Sequence, residues 1–145
     1  MAVVEISLVR NRLNLAVTAA RERARHRREQ AAEAEQAYAR FLQDVATPVT
    51  KLVASVLKAE GYAFTLFTPG GGLRLASDRG RDDYIEFALD TGSDDPHVIG
   101  RISQTRGSRT LTDERPVKPG AAPDGVSDED VLAFLLDALA PWLER

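Results

Sequence analysis

The sequence predicts an α+β protein: a long, coiled-coil-like N-terminal α-helix, then an α-β-β-β-β-β-α domain whose antiparallel sheet is covered by helices on one face. Three observations carry this. The stretch from Leu13 to Ala46 holds no Gly or Pro and is rich in Ala, Arg, Glu and Gln, all good helix formers. After Gly61 the apolar period changes from that of a helix to alternation, with turn residues recurring at roughly 8–12-residue spacing, the pattern of a meander. After Ser127 the helical period returns.

The first element is the long helix. Alternating steps of three and four residues from Val3 visit Val3, Ile6, Arg10, Leu13, Val17, Ala20, Ala24, Arg27, Ala31, Ala34, Tyr38, Phe41 and Val45, and all but the two arginines are apolar. That is the period of a coiled-coil seam. Its alanines bury little area each, so the seam is close-packing but weak for its length. Val3 to Val9 is β-branched enough to fit either a strand or the start of this helix.

Thr47-Pro48 reads as a helix restart, with Thr47 as N-cap and Pro48 in the first turn, where its missing N–H is harmless. The chain therefore divides into a helical oligomerisation segment, 1–46, and an α+β domain, 47–145. The second helix, Pro48 to Glu60, carries Val49, Leu52, Val53, Val56 and Leu57 as one core-facing stripe and stops at Gly61.

Five strands follow: Tyr62 to Phe67, Leu73 to Ser77, Asp83 to Asp90, His97 to Gln104 and Arg109 to Val117. The third is the clearest, with Ile85, Phe87 and Leu89 on one face and Tyr84, Glu86 and Ala88 on the other. Pro116 and Pro119 end the sheet, and an irregular crossover leads to Ser127. Ser127 caps a last helix with Asp130 at the third position, and Val131, Leu132, Leu135, Leu136, Leu139 and Leu143 form its broad apolar face.

At 145 residues the chain is one domain, or one domain plus an extension, which excludes a multidomain enzyme. The absence of Cys removes disulfides, thiolate nucleophiles and Cys-ligated zinc. No apolar run spans a bilayer, and Arg10 and Arg12 follow the apolar start, the reverse of a signal peptide's order, so a cytoplasmic protein is expected.

Shape points to self-association. A helix over Leu13 to Ala46 is about 50 Å long, while a body the size of the remainder is roughly 35 Å across, so the helix must overhang. The simplest second helix for its seam is that of another copy, giving a homodimer held by Leu13, Val17, Ala20, Ala24, Ala31, Ala34, Tyr38 and Phe41. The competing reading folds the helix onto its own sheet at Tyr38, Phe41 and Val45.

The net charge of -3 gives no overall pull toward nucleic acid, but residues 10–28 hold seven arginines against the single acid Glu22. Arg21, Arg23, Arg25 and Arg28 are candidate nucleic-acid contacts, by phosphate attraction rather than base readout. The competing reading is a solvated coiled-coil surface whose arginines pair with Glu22, Glu29, Glu33 and Glu35, the pattern of long exposed helices in general, and no aromatics lie in the patch to stack on bases.

The remaining motifs have structural explanations. Thr68-Pro69-Gly70-Gly71-Gly72 lies between strands, not ahead of a helix, so it is a hairpin loop and no phosphate cradle. Asp78, Asp82, Asp83, Glu86, Asp90, Asp94 and Asp95 near His97 match no cation-loop spacing and suit turns. No metal, cofactor or catalytic residue is expected. Trp142 is either an exposed anchor or a plug for the end of the core. The function these residues favour is non-enzymatic: an adaptor, chaperone or scaffold subunit that self-associates and binds a protein partner, with a dimeric nucleic-acid-binding protein as the alternative.

Overall fold

A computed structural model describes residues 4–144. Its helices are α1 (Ile6–Phe41), α2 (Thr47–Ala59) and α3 (Asp128–Leu143), and its strands are β1 (Phe64–Phe67), β2 (Leu73–Ser77), β3 (Tyr84–Asp90), β4 (His97–Arg106) and β5 (Arg109–Pro116). The strands form one sheet in the order β1-β2-β3-β4-β5, every neighbouring pair antiparallel. The fold class is the one the sequence predicts.

The helical start differs from expectation in two ways. Ile6 to Val9 are the first turn of α1, so the strand alternative fails there, while Val3 lies outside the described residues. Nor does a new helix begin at Thr47. It has right-handed helical angles, φ -65° and ψ -48°, makes no side-chain cap, and its N–H donates to the carbonyl of Leu42, five residues back. Residues Leu42–Ala46 form a π-helical turn that joins α1 to α2 without a break. Pro48 explains the turn. Inside a regular helix a proline lacks the ladder N–H and its ring meets the carbonyl four residues earlier; widening the preceding turn relieves both faults. The result is a helical rod from Ile6 to Ala59, about 80 Å long.

The core lies between one face of the sheet and the helices. Across the strands, Leu75, Ile85 and Ile102 sit in one register row and Leu73, Phe87 and Gly100 in the next, all on the buried face. Phe87 is the hub: its ring meets Phe41 of α1 edge-on at 6.4 Å and Phe134 of α3 at 5.8 Å. Gly100 makes the second contact feasible, because a Cβ there would lie 2.0 Å from Cζ of Phe134. Trp142 packs edge-on against Phe64 at 5.8 Å and closes the end of the core, so it is a plug and not an exposed anchor. Phe41 and Ala46, both within the segment read as an oligomerisation helix, belong to this core.

Local hydrogen bonds fix the ends. Ser127 accepts from the N–H of Asp130 while the Asp130 carboxylate accepts from the N–H of Ser127, the reciprocal capping box that the sequence predicts. Asp83, just before β3, is buried, and its side chain accepts the Thr105 N–H at 2.7 Å, holding the β2–β3 turn against β4.

Candidate interaction site

The first functional surface grows out of α1. Ala34, Ala37 and Phe41 are buried on the chain's own body and Tyr38 is half-buried beside them. Going toward the N-terminus, Ala31 and Ala24 are half-buried, and every residue from 4 through 23 is exposed. The predicted seam thus divides. Ala34, Tyr38 and Phe41 pack in the chain's own core instead of on a free face, because the aromatic pair completes the cluster around Phe87. Leu13, Val17 and Ala20 stay in solvent, Leu13 at 59% exposure, with Ile6 and Val9 on the same helical side. The exposed arm is about 30 Å long.

Burial pushes the Tyr38 hydroxyl pKa up to about 12, with the Glu86 carboxylate adding to the effect. Its Oη is buried without a hydrogen-bond partner, so this tyrosine acts as a hydrophobe.

The arginines lie on the same rod. Arg25 is held by Glu22 and by Glu29, the latter at 3.5 Å, as the solvated-helix reading requires of it. Arg21, Arg23 and Arg28 are exposed and make no ion pair among the described residues. His26 is exposed, and a shallow depression joins it, Arg23 and Arg27 to Asp94 of the β3–β4 turn.

The second surface was not legible as such. The sequence pattern puts Leu52 and Val56 on the core-facing stripe of α2, but the structure leaves them 69% and 61% exposed, while Thr50 and Leu57 face inward. The π-turn resets the phase of α2 relative to α1, and the body then meets its Thr50–Leu57 side. On α3 the same split occurs: Val131, Leu135 and Leu139 are buried, Leu132 and Leu136 are open. The open residues of both helices face one apolar groove of about 660 Å³. Its charged lining is acidic only, Glu60 from just past the end of α2 and Asp128 and Glu129 from the start of α3, with Tyr62 beside them. The signal for it was present: the α3 apolar face is too broad for a single contact, with Leu132 and Leu136 one step beside Val131 and Leu135.

The sheet face opposite the core carries a row of alternating charge. Arg74, Glu86, Arg101 and Glu114 are register partners across β2, β3, β4 and β5. Arg74 reaches Glu86 at 3.2 Å and lies 4.0 Å over the Tyr84 ring; Arg101 reaches Glu114 at 2.8 Å, a bond that raises the arginine's pKa. Beyond it β5 is an exposed edge strand, paired on one side only.

The acidic turns stay dispersed. His97 stands 3.8 Å from Asp90 and bonds the Asp95 carbonyl, and among the described residues no three such groups converge as metal ligands. The glycine loop is a short 3₁₀ turn (Pro69–Gly71) between β1 and β2, with Gly70 and Gly71 at positive φ. Among the described residues no helix is long and apolar enough to cross a membrane. Compared with protein-family models, with curated proteins and with solved structures, the chain matches none.

Proposed function

We propose that this protein is a non-enzymatic interaction module, an adaptor, chaperone or scaffold subunit, that self-associates through its N-terminal helix and binds a protein partner with its sheet domain. The observation that carries the reading is the α1 stripe: the helix side buried at Ala34 and Phe41 continues as Ile6, Val9, Leu13 and Val17 in solvent. Apolar side chains in such a row on a surface helix mark a contact, since leaving each in water forgoes about 1.5–3 kcal/mol available on burial. The exposed β5 edge and the charged row beside it support docking of an extended or oppositely patterned partner on the sheet.

Light scattering tests the self-association. The full chain is expected at twice 15.8 kDa, and Leu13→Glu with Val17→Glu at the monomer mass with an unchanged circular dichroism spectrum. Both sites are exposed, so the fold is indifferent to them. A wild-type monomer at micromolar concentration refutes the reading. Nucleic-acid binding is the second reading, favoured by the unpaired Arg21, Arg23 and Arg28; it requires an affinity for duplex DNA or RNA that falls steeply with salt and is lost on Arg→Glu reversal.

A further inference from the structure

We infer that the groove between α2 and α3 is the docking site for the N-terminal arm of α1 from a second copy of this chain. The inference rests on the self-association proposed above and adds where the arm lands.

Three properties match. The first is chemistry: the groove is apolar along Leu52, Val56, Leu132 and Leu136, and the arm offers Ile6, Val9, Leu13 and Val17 on one side of a helix. Each surface alone leaves large aliphatic side chains in water. The second is charge. Every charged side chain lining the groove is an acid, Glu60, Asp128 or Glu129, and the remaining polar one is Tyr62. At 3.6 residues per turn, Arg10 and Arg12 of the arm fall on opposite flanks of its apolar stripe, where they would face a groove's two walls. The third is length. The segment Ile6 to Val17 extends about 18 Å, and α2, one wall of the groove, about 20 Å.

The arm of the same chain does not fill its own groove, since residues 4 through 23 and the groove's outer leucines are all exposed together. Reciprocal insertion in a twofold dimer covers both arms and both grooves at once, the helix-in-groove mode used twice. Arm against arm would bury the stripes but leave both grooves open.

The chain has no cysteine, so introduced thiols report the contact directly. Full-length Leu13→Cys, carrying a mass tag, is mixed with untagged Leu136→Cys in a thiol–disulfide buffer, and the disulfide-linked species are weighed. Leu13 and Leu136 are 59% and 53% exposed, so neither change threatens folding. The mixed Leu13–Leu136 species is expected at least tenfold above either homodisulfide, and Arg10→Glu with Arg12→Glu should reduce it at low salt. A dominant Leu13–Leu13 species, or a dimer by light scattering without the mixed bond, overturns the arm–groove assignment and leaves self-association standing. A monomer without cross-links overturns both.

Discussion

Replacing Gly100 by Ala tests the packing of α3 on the sheet with one methyl group. The added Cβ would lie 2.0 Å from Cζ and 2.5 Å from Cε1 of Phe134. Ordinary carbon–carbon contact is about 3.5 Å, so the ring must retreat by about 1.5 Å. It has little room: the Phe87 ring packs on it at 5.8 Å and the Arg115 guanidinium at 5.6 Å, the latter anchored to Asp137 of α3 at 2.8 Å. Gly100 is not at positive φ, so its backbone accepts Ala and the clash is the sole cost. Overpacking of this kind costs about 1–3 kcal/mol, against which the stiffer unfolded chain returns about 0.4–1 kcal/mol. With the contact this close, the net loss is about 2 kcal/mol, a fall in Tm of about 6–8 °C. The assay is a double-mutant cycle by urea denaturation over wild type, Gly100→Ala, Phe134→Leu and the double variant. Phe134→Leu should absorb the methyl, giving a coupling of about 1 kcal/mol or more. A neutral or stabilising Gly100→Ala, or a cycle without coupling, refutes the account of Phe87, Phe134 and Gly100 as the centre of the core.

Three further outcomes follow from single groups. Thr50 is fully buried and its Oγ1 has no hydrogen-bond partner, so Thr50→Val, equal in shape, is expected to stabilise by about 1 kcal/mol in chemical denaturation; a loss of stability would reveal a bond to that hydroxyl. Ser127→Ala should cost about 1 kcal/mol by removing one half of the capping box. The other half is pH-dependent. The Ser127 N–H first, then Lys118 at 3.1 Å, hold the Asp130 carboxyl below its ordinary value of 3.8. A group depressed in the fold contributes its full stability above the unfolded value and loses it as pH falls through the folded one. Asp130→Asn should therefore flatten the decline in stability below pH 3.8, and an unchanged acid limb in thermal melts would contradict the assignment.

What the sequence determined by itself is local. The alternation of Ile85, Phe87 and Leu89 set the inner face of β3, Arg106-Gly107 placed the last hairpin with Gly107 at positive φ, and Ser127 with Asp130 placed the start of α3. Each depends on residues a few positions apart, whose preferences act before any tertiary contact forms. The α1 seam was legible as a period but not as a partner: Phe41 and Leu13 occupy equivalent positions on it, and only the folded body separates the one that meets Phe87 from the one left in water. The same holds for Thr47-Pro48, whose cap signature is overridden because Ala46 and Phe41 are both held in the core, which keeps the helix continuous across the π-turn. The breadth of the α3 apolar face signals the groove, but which residues of α2 wall it is decided by the tertiary structure. Leu52 and Leu57 are alike as apolar residues of one helix, and their fates diverge because a helix has more than one side while the sheet covers only one.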